Sequence, residues 1–199
     1  EDINNISYEE NVKSKFLSVR RMHYTQNGIK KAWDIVDASN CVAILQYNKT
    51  KKNFTLVKQF RPPVYTKHQE KEELKSLGGV TYELCAGLID KEGKSDLEIC
   101  REEILEECGY DVPIDRIEKI TTAYVGTGSM GQIQSLYYAE VEEDMKVNEG
   151  GGVDNELIEL YFLPLSQVND FLFDETKPKP SGLIAAFFWF LHTKLPLYK

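Results

Sequence analysis

The chain has 199 residues, 42% of them hydrophobic, which suits one domain, or one domain with a small appendage, around a sizeable core. Its 32 acidic against 24 basic side chains leave a formal net charge of -8, arguing against general binding of nucleic acid or of an anionic membrane surface. An anionic small ligand stays open, because a bound metal ion reverses the local sign.

The opening "EDINNISYEE" has no basic segment followed by an apolar run, so no export signal is expected. "FLSVRRMHYTQNGIKKAWDIVD" holds Asn27 and Gly28 between two strand-like runs, the signature of a two-residue hairpin turn. "CVAILQYN" and "FTLVKQF", joined by the polar "KTKKN", predict a second hairpin whose strands are apolar almost throughout and so more buried. Arg61, Pro62 and Pro63 end it. The charged stretch 66–79 is expected to be a mobile loop with room for a helical turn. "VTYELCAG" predicts one strand ending at Gly87, and the turn-rich "LIDKEGKS" follows.

A helix is predicted from Asp96 to Cys108, with Ser95 or Asp96 as N-cap, Gly109 as C-cap, and an apolar stripe of Leu97, Cys100, Ile104 and Cys108. Strands are expected at "IEKITTAYV", "IQSLYYAEV" and "LIELYFLPL", then a short helix at "SQVNDFLF". The apolar run "GLIAAFFWFL" is too short to span a bilayer and fits a buried helix, opened by Pro180 or Ser181 and closed by Lys194 and Pro196. Strands interrupted by helices point to a mixed α/β layered domain. The four cysteines, Cys41, Cys85, Cys100 and Cys108, form no C-x-x-C pair, and free thiols in a reducing, cytoplasmic compartment are expected.

"LEICREEILEECGYD" crowds Glu102, Glu103, Glu106 and Glu107 onto one short helix, although like charges at these spacings repel. Either the helix turns a solvated acidic face to water, or the carboxylates hold divalent cations. Glu103, Glu106 and Glu107 fall within an arc of roughly 100° beside the apolar stripe. Converging carboxylate oxygens suit Mg2+ or Mn2+, and Ala86 and Gly87 end a strand just upstream, where a glycine allows close main-chain approach.

The segment 87–110, "GLIDKEGKSDLEICREEILEECGY", resembles the Nudix box, G-x5-E-x7-R-E-U-x-E-E-x-G-U with U aliphatic or similar. From Glu103 to Tyr110 the residues "EILEECGY" match E-U-x-E-E-x-G-U, with Tyr at the last position. The resemblance implies that Glu103, Glu106 and Glu107 bind the metals that activate a pyrophosphate, with a main-chain metal contact from Ala86. The segment is one residue longer than the usual box. Counted from its end, Lys94 and Glu102 stand where the family has Glu and Arg, and Arg101 is one place off. A bracing pair with exchanged signs is expected there; two unrelated surface charges are the alternative.

Further segments, "HYTQNGIKKAWD", "LVKQFRPPVY", "YELCAGLID", "GTGSMGQIQSLYYAEV" and "GGGVDNELIEL", are similar to the uridine diphosphate glucose (UDP-sugar) pyrophosphatase branch of the Nudix hydrolases, close to the ADP-ribose pyrophosphatases. That similarity runs over about 23–191. It implies a Nudix α/β/α sandwich with a mixed sheet over 39–199. It also implies an N-terminal β extension over 1–38 that helps build a homodimer.

The implied reaction is hydrolysis of UDP-glucose to UMP and glucose 1-phosphate, with ADP-ribose hydrolysis as runner-up. A degenerate module that binds nucleotide sugars without cleaving them is the non-enzymatic alternative. An acidic Ca2+ module lacks EF-hand spacing. By resemblance the general base lies in "GGGVDNELIEL", where Glu156 is the first candidate and Asp154 the second, and Gly150, Gly151 and Gly152 would let the loop swing over substrate. Arg61 could pair with phosphate, Trp33 and Tyr24 could stack on uracil, and Glu83 could orient the site. The loop 126–132, with Gly126 and Gly128, offers N–H groups to phosphate or sugar. Ordinary surface, core or dimer-interface packing competes with each of these roles. His23, His68 and His192 are scattered and expected to be non-catalytic.

Overall fold

Asn27 (φ 52°) and Gly28 (φ 80°) both adopt the left-handed conformation that a two-residue hairpin turn needs, and Gln26 faces Ile29 across it. The computed structural model describes residues 3–10, 12–14, 16–153 and 156–198, and in it strands β1 (Ser18–Gln26) and β2 (Ile29–Asp37) form a separate two-stranded sheet. Most of this arm is exposed. Arg21 crosses the strands to Asp34 in a bidentate ion pair of 2.6 and 2.9 Å.

The second hairpin, β3 (Cys41–Asn48) and β4 (Asn53–Phe60), lies at the centre of the seven-stranded mixed sheet. β3 runs parallel to β8 (Gln132–Val141), and β8 pairs antiparallel with β7 (Ile117–Val125). β3 meets β4 only over Gln46, Tyr47 and Asn48; beyond that the two separate. Into the separation the chain sends β5 (Val80–Glu83), which pairs with β4, and β6 (Cys85–Leu88), which pairs with β3. The single strand expected over "VTYELCAG" is therefore two, handed from one neighbour to the other at Leu84. An apolar run carries no mark of a change of partner. β9 (Glu159–Pro164) pairs with the other side of β4.

The stretch expected as a mobile loop is ordered. Helix α1 (Pro62–Gln69) starts on the two prolines, and a 3-10 helix covers Glu72–Leu77. Proline fixes a helical φ and lacks an N–H that the first turn leaves unpaired anyway, so Pro62 both ends β4 and opens α1. Arg61 before it is held extended, at φ -117° and ψ 104°.

Alternation along β3 feeds two apolar layers. Leu45 and Tyr47 join Phe54, Leu56, Phe171, Phe187 and Phe190 on the face covered by α3 (Val168–Phe173) and α4 (Ser181–Trp189). Val42 and Ile44 join Ile99, Cys100, Ile104 and Cys108 on the face covered by α2 (Asp96–Cys108). Helices on both faces of a mixed sheet make the expected α/β/α sandwich. α4 continues through a wide π turn at Phe190–Lys194 and a 3-10 turn at Leu195–Tyr198, so the terminal helix passes Lys194 before it closes. Among the described residues no helix is long and apolar enough to cross a membrane.

Candidate active site

The acidic helix begins and ends as its sequence predicts. Ser95 caps it by accepting the Glu98 N–H at 3.3 Å, and Glu98 returns the contact by accepting the Ser95 N–H at 2.8 Å. Gly109 closes it in the left-handed conformation. Ile99 joins the buried stripe, which is wider than the four expected residues. Gly150, Gly151 and Gly152, all at positive φ, lie against the helix end, where Gly151 and Gly152 donate N–H groups to the carbonyls of Glu107 (2.8 Å) and Glu106 (3.1 Å). A Cβ on Gly150 would stand 2.3 Å from the Glu107 carbonyl oxygen. These contacts hold the glycine segment against the end of α2.

α2, the end of β4 and the β5–β6 crossing enclose a cavity of about 910 Å³. Glu103, Glu106 and Glu107 line it, together with Ala86, Gly87, Glu83, Arg61 and Glu156. Glu107 is 5% exposed, and its carboxylate accepts the Ala86 N–H at 3.1 Å. Burial, foremost, pushes its pKa up to about 8, with the charges of Glu103 and Glu156 adding to the shift. Burial also raises Glu103 to about 7, opposed by Lys91 and reinforced by Glu106 and Glu156. A Cβ at Gly87 would lie 2.2 Å from the Glu103 carboxyl, so a side chain there would have to displace that carboxylate. The missing side chain therefore admits a carboxylate to the strand end.

Arg61 is gripped by Glu83 through Nε (2.8 Å) and NH2 (2.6 Å), and Thr81 hydrogen-bonds the same carboxylate. The bracing pair with exchanged signs is present: Lys94 pairs with Glu102. Lys91 joins it at 3.0 Å from Glu102 and stands 3.9 Å from Glu103. Arg101, one place off the family pattern, pairs with Asp111 instead.

The fold does not bring Trp33, Tyr24, Gly126 or Gly128 to this cavity within one chain. Trp33 donates its indole N–H to the Gly128 carbonyl at 2.7 Å, and Val36 donates to Ser129 at 2.8 Å, fastening the arm to the 126–132 loop. That loop curls on itself, with the Gly126 carbonyl accepting from Ser129 and Met130. Asp154 lies outside the described residues. Lys91, Gln59, Gln132 and Gln134 also line the cavity, none of them among the site residues expected from the sequence. Polar residues two apart on otherwise apolar strands, Gln59 with Arg61 and Gln132 with Gln134, were the available signal.

No protein-family model matches the chain. It is 36% identical over 203 residues to the uridine diphosphate glucose pyrophosphatase NUDT14 of Bos taurus, a match covering 92% of this chain and 91% of that protein. The chain belongs to the Nudix hydrolases. The Mus musculus NUDT14 enzyme is 33% identical over the same shares of both chains. A GDP-mannose pyrophosphatase of Salmonella arizonae is 34% identical, covering 78% of this Nudix chain and 81% of the relative. The chain is accordingly a Nudix diphosphatase.

The donor set of this Nudix hydrolase fits a hard divalent cation, since it offers carboxylate oxygens in a pocket too buried to leave them charged and unpaired. Among the described residues no three acidic, His or Cys side chains already form a ligand cluster. Glu107 is turned onto Ala86 and Glu103 leans toward Lys91, arrangements that relieve the repulsion of bare carboxylates.

Proposed function

We propose that this Nudix hydrolase splits the pyrophosphate bond of UDP-glucose into UMP and glucose 1-phosphate, using Mg2+, with Mn2+ as a substitute. One observation carries the reading: the α2 carboxylates, Glu156 and Arg61 line one cavity of about 910 Å³, a size suited to a nucleotide-sized ligand. A bound divalent cation would neutralise phosphate charge and polarise phosphorus toward water. Glu103, Glu106 and Glu107, with the Ala86 carbonyl, are the residues assigned to hold it.

Glu156 is assigned to take the proton of the attacking water, with Asp154 as the second candidate. Arg61 is assigned to a phosphate oxygen through N–H groups that Glu83 leaves free, so Glu83 positions it. Residues 1–38 form the proposed dimerisation arm and 39–199 the hydrolase domain. The arm supports this by exposing Val19, Met22, Ile29 and Trp33. In a dimer Trp33 and Tyr24 would stack on uracil in the partner's cavity. Free Cys41, Cys85, Cys100 and Cys108 suit the cytoplasmic setting that completes the proposal.

A second reading, GDP-mannose as preferred substrate, draws on the 34% identity to the Salmonella enzyme. Incubation with UDP-glucose, GDP-mannose and ADP-ribose, each with and without Mg2+, separates the possibilities by product and kcat/KM. UDP-glucose should lead and require metal. A lead for either other sugar nucleotide would displace it, and no turnover of any would favour a binding module.

A further inference from the structure

Lys91, in the loop between β6 and α2, has no part in the reaction outlined above. Arg61 and Lys91 are the cationic side chains among the described residues that line the cavity. Arg61 is held bidentately by Glu83, whereas Lys91 is shared more loosely. Its ammonium lies 3.0 Å from Glu102 and 3.9 Å from Glu103, and its side chain is 37% exposed. Glu102 also pairs with Lys94, so a single carboxylate faces two ammonium groups. Pairing with Lys94 alone satisfies the charge of Glu102, which frees Lys91 to face the otherwise acidic cavity wall of Asp90, Glu103 and Glu106. The other anionic neighbours of Lys91, Glu106 and Glu103, are side chains assigned to a divalent cation. With both so committed, the Lys91 ammonium stays tethered by Glu102 and has donors left for another anion.

We propose that Lys91 binds the substrate's diphosphate, donating from Nζ to a non-bridging phosphate oxygen while Glu102, itself paired with Lys94, tethers the Lys91 ammonium beside α2. This rests on the pyrophosphatase reading above and adds a phosphate contact that the bracing pair alone does not supply. Lysine suits the place because its ammonium is a compact point charge on a flexible stem and can turn from Glu103 to phosphate without moving the loop.

The test compares Lys91→Gln, Lys91→Arg and Lys94→Gln in the full-length protein. The readouts are binding of a methylene-bridged, uncleavable UDP-glucose analogue, binding of uridine, melting temperature, and steady-state turnover. Wild-type turnover of UDP-glucose with metal is established first, so failure there speaks against the pyrophosphatase reading and not against Lys91. Lys91→Gln should weaken the analogue and raise KM about tenfold, as loss of one charge-assisted hydrogen bond does, with uridine binding unchanged. Lys91→Arg should restore analogue binding to within about threefold, and Lys94→Gln should lower the melting temperature without weakening the analogue more than about twofold. Equal analogue affinity in wild type and Lys91→Gln, or equal loss in the Lys91 and Lys94 variants, would overturn the proposal and leave Lys91 a brace. Should Lys91→Gln fail to fold, Lys91→Arg decides: analogue affinity more than about threefold below wild type would overturn it.

Discussion

The two faces of the central sheet are built on opposite terms. On the α4 face Phe54, Phe187 and Phe190 are fully buried, and Phe54 meets each of the other two edge to face with ring centroids 4.8 Å apart. On the α2 face the Ile and Cys side chains that the helix buries are followed directly by Glu103 and Glu107, carboxyls that burial holds partly protonated near neutral pH. The aromatic face supplies stability. The acidic face gives stability up to keep an anionic pocket, which a cation can then settle.

The sharpest way to break this contrast is to strip the acidic face. Glu106→Gln with Glu107→Gln should lower kcat/KM for UDP-glucose by about a thousandfold, the scale of losing preorganised electrostatic stabilisation, while the protein stays folded. Phe187→Ala on the other face should do the reverse. It should destabilise the fold by about 3–5 kcal/mol in denaturant titration while leaving KM near wild type.

A pH series sharpens the comparison. The folded pKa of Glu107, about 8, lies above its ordinary 4.5, so the uncharged carboxyl is the one the fold favours. Its contribution to stability is fully present below about pH 4.5 and is lost as pH rises through about 8. In metal-free protein Glu107→Gln should therefore gain stability over wild type at pH 8, on the order of a few kcal/mol, with the gain shrinking towards pH 5. Urea unfolding at the two pH values in chelator checks the sign. The smallest effect belongs to the bracing pair. Exchanging Lys94→Glu with Glu102→Lys should recover only part of the roughly 0.5 kcal/mol lost by each single change, because Lys91 then faces a new lysine.

Local chemistry was the legible part of this chain. Asn27 and Gly28 fixed the first turn, Ser95 and Gly109 bounded α2, and the spacing of Glu103, Glu106 and Glu107 placed all three on the cavity. Features set by distant neighbours were not. Pro62 reads from sequence as a strand stop, and that it also opens a helix shows only in the structure. The change of partner at Leu84 depends on β3 and β4 separating, which no residue in 80–88 encodes. Lys91 looked like any turn lysine until Glu102 and Glu103 were brought beside it. Trp33 and Tyr24 have the right chemistry for a base, but within one chain the arm carries Trp33 to the 126–132 loop and neither residue lines the cavity.

The central claim is that the crowded carboxylates of α2 exist to take up a divalent cation beside a diphosphate. Calorimetric titration of Mn2+ into metal-free protein carrying the uncleavable UDP-glucose analogue tests it most directly. Saturable uptake in wild type that disappears in the Glu106→Gln, Glu107→Gln double variant is the predicted result. Undiminished uptake in that variant, or none in wild type, would contradict it.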